Sequence, residues 1–268
     1  MFEDIQGHLT FTRRPDQRDR DWWQSRMPEG ATPEGVAAIL GRGLPGHRTA
    51  DWDIDGVDET AFVTLIGSEA NVNLWIHATR IDLKSMEFYQ DGLSIDHKRR
   101  GAGMAQRLVG NSADLATSMG IGRLTLNTEN VGGYMWVKAG AVPKDWTSLR
   151  IQLENRLDAL KRRRVPLGEE DRIVRDLLVL GTSDPRAVRA IAGRALEVRS
   201  SHRPHQGDPE KTTLGRELLI GSQWYGEIDL QDRETLAMFT AWRRKWEESL
   251  RPILKQRSIS ALSPGQGR

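Results

Sequence analysis

The run Lys98-Arg99-Arg100-Gly101-Ala102-Gly103-Met104-Ala105 sets three cations and two glycines at the foot of an apolar, helically periodic stretch. Glycine lets a backbone approach a ligand without a Cβ in the way, and the unpaired N–H groups of a first helical turn favour anions. The chemistry such a turn offers is phosphate binding, with Lys98, Arg99 and Arg100 adding positive charge. Upstream lie two carboxylates, Glu87 and Asp91, and two imidazoles, His77 and His97, all candidates for accepting a proton. Downstream, Tyr134 carries a hydroxyl able to give one. There is no cysteine, which removes disulfides, thiolate metal ligands and a covalent acyl-cysteine intermediate together. His202 and His205, with Asp208 and Glu210 nearby, sit in a polar segment without cysteine support, and no metal is expected there.

These groups need elements to hold them. Stretches 61–67, 72–82 and 87–96 are rich in β-branched and aromatic residues separated by short polar turns, and read as successive strands. Met104, Leu108, Leu115 and Met119 repeat at helical spacing, with Gly120 where a C-cap belongs. Stretch 121–127 alternates as a strand, and Tyr134 falls in a short helix closed by Gly140. Toward the N-terminus, 8–12 reads as a strand, 13–20 as a charged connector, Trp22-Trp23 as the opening of a short helix, and Thr32-Pro33-Glu34 as a helix start.

The order strand, Gly-rich basic turn, helix, strand, short helix resembles the acyl-CoA-binding half of the GNAT superfamily of N-acyltransferases. Arg100-Gly101-Ala102-Gly103-Met104-Ala105 fits the family's Arg/Gln-x-x-Gly-x-Gly/Ala pyrophosphate motif, and Trp136-Val137-Lys138-Ala139-Gly140-Ala141 resembles its Tyr-Glu-Lys-x-Gly-Phe ending, preceded by Asn130. The resemblance spans Leu93 to Pro143. It implies an α+β fold: a mixed, mostly antiparallel sheet in which the strand ending near Ile95 splays from the next, with flanking helices. It further implies acetyl-CoA as acyl donor, held by Leu93, Ile95, Asp96, Arg99, Arg100, Gly101, Ala102, Gly103, Met104, Ala105, Asn130 and Trp136. Acyl transfer would go directly to an amine on a protein, nucleic acid or small molecule, with Asp91 or Glu87 as base. The family commonly protonates the leaving thiolate from a tyrosine where Trp136 stands here. An indole cannot do this, so Tyr134 is the expected replacement. The spacing from Asn130 to Gly140 is one residue shorter than usual, which leaves the orientation of Tyr134 open.

Composition agrees with a soluble intracellular enzyme: 268 residues, 28% charged, net charge +2, and no apolar run near the ~20 residues of a membrane span; the resemblance implies the cytoplasm of a bacterial or phage-infected cell. The net charge is too small to demand a nucleic-acid partner, though 161–164 and 243–245 are basic knots. A GNAT-like domain over 1–147 is expected, its first 50 residues the least defined. A mainly helical region over 148–257 and a flexible tail over 258–268 would follow. The segments Gly132-Gly133-Tyr134-Met135-Trp136 and 218–230 are similar to GNAT-like modules of bacteriophage proteins. Two other readings follow from this: a phage-type structural protein that keeps the fold without catalysis, and a GNAT-fold enzyme modifying nucleic-acid bases. No membrane partner is expected, and a homodimer is one expected assembly.

Overall fold

In the computed structural model, residues 9–27, 31–55, 59–100, 103–128, 132–201 and 210–244 are described. The frame is an eight-stranded sheet. Its strands are β1 (Leu9–Phe11), β2 (His47–Asp55), β3 (Thr60–Glu69), β4 (Val72–Asp82), β5 (Glu87–Ile95), β6 (Arg123–Asn127), β7 (Val142–Pro143) and β10 (Tyr225–Asp229). They lie in the order β1-β2-β3-β4-β5-β6-β10-β7. Strands β1 and β2 are parallel, β2 to β5 follow one another antiparallel, β5 and β6 are parallel, and β10 is antiparallel to both β6 and β7. This is the expected α+β class with a mixed, mostly antiparallel sheet.

Alternation decides which face is covered. Cross-strand neighbours Ala61, Ile81, Phe88, Leu124 and Ile228 share one face and are all fully buried. Helices α2 (Pro33–Leu40) and α3 (Met104–Ser118) pack on it. On the opposite face Phe62, Arg80, Tyr89, Thr125 and Glu227 form the corresponding row, and Phe62 is exposed. Helix α3 ends as expected: Gly120 takes φ +74°, and the Ile121 N–H donates to the Ala116 carbonyl at 2.8 Å, an αL closure that satisfies a terminal carbonyl.

The structure differs from the expected elements in three places. The charged connector at 13–20 is half helix: α1 (Gln17–Arg26) starts there because Asp16 and Asp19 form a reciprocal capping box. Second, residues 47–55, where no strand is expected, form β2, with Asp51, Asp53 and Asp55 on its outward side. Third, the region after residue 147 does not stand apart from the sheet. Helices α4 (Gly132–Lys138), α5 (Trp146–Arg162), α6 (Glu169–Leu180), α7 (Ala187–Ala192) and α8 (Leu214–Leu219) do pack on one another, with a two-stranded ribbon of β8 (Glu197–Arg199) and β9 (Lys211–Thr213). Strand β10 then leaves this group and enters the main sheet between β6 and β7. A helix over 233–244, here α9, follows it, and its Arg243 makes a two-pronged ion pair with Asp114 of α3 at 2.6 and 2.9 Å. The expected tail over 258–268 lies outside the described residues.

Candidate active site between strands 5 and 6

Strands β5 and β6 are parallel neighbours only at one end. Their ladder joins Glu87, Phe88, Tyr89 and Gln90 to Arg123, Leu124, Thr125 and Leu126, and stops there, although β5 continues to Ile95. Past Gln90 no ladder joins β5 to β6 among the described residues, and β6 ends one residue beyond Leu126, at Asn127.

A bulge marks the end of that ladder. On the β4 side Thr79 faces Gln90 but Ala78 faces Gly92, so Asp91 is an extra residue on β5. The backbone bond from Asp96 N–H to the Leu74 carbonyl (2.9 Å) fixes the alternation beyond the bulge. In an antiparallel pair every second residue turns both backbone groups toward its partner, and those between turn theirs away. Counting back from Asp96, Ser94 and Gly92 are turned toward β4. Leu93 and Ile95 are therefore turned away from it, into the opening left by β6. Asp96, also expected to contact a ligand, has its N–H held by β4, and its carboxylate accepts from the Lys98 N–H at 2.9 Å in a single 3-10 turn over His97–Arg99.

The chain then reaches Gly103, whose φ of +72° is a left-handed conformation that glycine adopts without Cβ strain. It is the N-cap of α3 and makes no side-chain cap bond, so among the described residues no capping hydroxyl or carboxylate takes up the first-turn N–H groups. Met104 is buried in the core and Ala105 half-buried, which leaves their backbone, not their side chains, to meet a ligand. The Arg100 Nε donates to the Ile95 carbonyl at 3.3 Å, so this cation lies across the mouth of the opening. Arg99 turns the other way and pairs with Glu69 at 3.2 Å, both partners well exposed. Gly101, Ala102 and Asn130 lie outside the described residues.

The two candidate carboxylates differ in place and state. Asp91 is the bulge residue, about two-fifths exposed, with Arg80 Nε 3.5 Å away. Glu87 stands at the closed end of the β5–β6 pair. Lys144 reaches it at 3.1 Å and Thr125 donates to it at 3.3 Å. Burial alone would raise its pKa, but hydrogen bonds from Tyr89, Lys144 and Thr125 outweigh that and hold it below the ordinary carboxylate range. The same contact, after burial, pushes Tyr89 up, and the Arg80 guanidinium stacks over the Tyr89 ring at 3.8 Å. A carboxylate so stabilised as an anion, four residues from the bulge, is a poor proton acceptor.

Tyr134 and Trp136 separate cleanly. Trp136 is 4% exposed, and its Cδ1 lies 3.5 Å from where a Cβ on Gly132 would stand. It folds back over the first turn of its own helix as core packing, which corrects the expectation that it contacts a ligand. Tyr134 is half-buried against the core. Helix α4 lies so close to α8 that a Cβ at Gly133 would come within 2.4 Å of the Leu219 carbonyl and the Ser222 hydroxyl.

His77 sits on β4 opposite Leu93, 1% exposed, on the helix-covered face. Its Nε2 is 2.7 Å from Gln90 Oε1. Burial lowers its pKa to about 4, so the ring is neutral at physiological pH. Gln90, Arg80 and Lys144 were not found in the sequence reading. Gln90 carried one signal, a polar residue in phase with Phe88 on the apolar side of its strand.

No family model matches the chain, and no curated protein matches it. Among solved structures it is similar to a nourseothricin acetyltransferase, with a TM-score of 0.28 and 17% identity over 34% of this chain. The match spans about half of that protein, 55% of its chain, and is too slight to carry any argument about this one.

Proposed function

We propose that this protein is a GNAT-type N-acyltransferase that takes its acyl group from acetyl-CoA and passes it directly to an amine. One observation carries the reading: a parallel strand pair whose ladder ends at Gln90, a bulge at Asp91, and, eight residues after β5 ends at Ile95, a helix whose N-cap, Gly103, is a positive-φ glycine. The backbone groups of Leu93 and Ile95 would hydrogen-bond an extended thioester arm as a missing strand would. The α3 N-terminus and Arg100 would hold the pyrophosphate.

The reaction needs few protein groups. The amine nitrogen attacks the thioester carbonyl, the C–N bond forms, and a backbone N–H in the opening polarises the carbonyl oxygen. The amine proton leaves to Asp91 or to water, the C–S bond breaks, and the thiolate takes a proton from Tyr134 or from water. Asp91 is preferred to Glu87 because it sits at the bulge and is more exposed, whereas Glu87 is committed to Lys144 and Thr125.

Calorimetry of the full chain with acetyl-CoA tests the donor. Gly103→Glu adds a Cβ at positive φ and a negative charge at the anion site, and acetyl-CoA affinity should fall by more than ten-fold, about 1.4 kcal/mol. Wild-type protein that does not bind acetyl-CoA, or a variant that binds it equally well, overturns the assignment.

A further inference from the structure

His77 and Gln90 are two polar side chains in a place built for apolar ones. Their cross-strand neighbours include Leu65 and Leu93 for His77, and Leu126 for Gln90, and both residues are at least 97% buried, at 1% and 3% exposure. They bond each other, yet among the described residues His77 Nδ1 and Gln90 Nε2 remain buried without a partner. Rotating the amide or changing the tautomer only moves the deficit, since one atom of each residue is left over in every arrangement. A buried polar atom left unpaired weakens the fold, so two aliphatic side chains here would give a more stable sheet. Neither residue has a part in the acyl transfer described above.

Their position relative to the bulge supplies a reason. Gln90 is the last residue of β5 before the extra one, and His77 faces Leu93, two residues after it. The hydrogen bond therefore runs diagonally across Asp91 and Gly92. We propose that the His77–Gln90 pair is a positioning element that holds the β5 bulge in place and so keeps the backbone groups of Leu93 and Ile95 turned into the opening. Were the bulge to straighten, β5 would slip by one residue against β4. A one-residue slip reverses every orientation beyond it: Leu93 and Ile95 would turn back to β4 and Ser94 outward. The neutral state of the imidazole suits the task, because the tie then brings no uncompensated charge into the core. The use made of the opening rests on the proposed acyl-CoA reading, but the tie itself does not.

Amide hydrogen exchange in the full chain, followed by NMR, reads the tie directly. In His77→Leu, exchange at Gly92 and Ser94, whose N–H groups face β4, should quicken at least ten-fold while β2 and β3 stay protected. His77→Gln, which can still donate to Gln90 Oε1, should restore protection. Should His77→Leu fail to fold, the double variant His77→Leu/Gln90→Leu removes both partners and leaves no orphan, and it should fold with the same local loss. Acetyl-CoA serves as the ligand probe: its affinity should drop at least ten-fold in the variants that lose protection and recover in His77→Gln. Wild-type protection at Gly92 and Ser94 in the folded Leu variants overturns the proposal. Faster exchange there, in a protein whose wild type ignores acetyl-CoA, upholds the tie and overturns the acyl-CoA reading instead.

Discussion

Folding removes His77 from water, and with it most of the ring's readiness to take a proton. In an unfolded chain it titrates near 6.5, and in the folded protein near 4 because of burial. The unfolded state therefore binds more protons throughout that window, so His77 costs nothing above pH 6.5 and stability is lost as pH falls from 6.5 toward 4. The full difference is about 3 kcal/mol. Urea unfolding of wild type and His77→Gln, each at pH 7 and at pH 4, should show wild type losing about 3 kcal/mol more than the variant. The carboxylates are common to both and cancel. Equal losses would mean that His77 is not buried as described. At this scale the sequence was partly legible. Gly103 announced itself because positive φ and close approach both call for glycine. Trp136 misled, because its place in a motif says nothing about which way a ring folds over its own helix. Gln90 was hidden, since its partner lies 13 residues away on another strand.

Element boundaries followed local chemistry. Strands β3, β4 and β5 appeared near their sequence positions because alternation and β-branched residues mark them directly. Strand β2 did not, since alternate aspartates hid a half-buried strand, and α1 was half missed because an Asp-x-x-Asp box is a weaker written signal than Ser-x-x-Glu. The neighbouring glycines of α4 give a sharp test of packing between elements. Gly133 faces the Leu219 carbonyl and Ser222 hydroxyl at 2.4 Å from a would-be Cβ, so Gly133→Ala must push α4 off α8 and should cost about 1–3 kcal/mol. Gly132 meets the Trp136 ring at 3.5 Å and the Thr128 Cβ at 4.0 Å, ordinary contacts, so Gly132→Ala should be neutral or stabilising by up to about 1 kcal/mol through helix propensity. Thermal midpoints of the two variants check this, and a Gly133→Ala protein as stable as Gly132→Ala would show that α4 and α8 are farther apart.

At the scale of the molecule, local pattern said nothing of the strand that crosses from the C-terminal helices into the sheet. Tyr225–Asp229 is short, and its phase is set by partners 98 to 106 residues earlier, from Tyr225 opposite Asn127 to Asp229 opposite Arg123, a pairing that composition cannot reveal. A chain of residues 1–147 should therefore lack a cooperative thermal transition and collect in the insoluble fraction, since β6 would present an open edge and Leu124 would lose its buried cross-strand neighbour Ile228. A soluble 1–147 with a single sharp transition would establish an independent unit ending there.

That inserted strand also sets a clock. The Trp224 N–H bonds the Thr128 hydroxyl 96 residues away, so during synthesis at about 5–20 residues per second the edge of β6 waits roughly 5–20 seconds for its neighbour. Throughout that interval the half of the chain bearing the β5–β6 opening has been made but cannot close its sheet. Long-range pairing of this kind slows folding and leaves an edge available to other nascent copies. The yield of active protein should thus depend on how quickly the last third of the message is translated, even where no residue of the opening is changed.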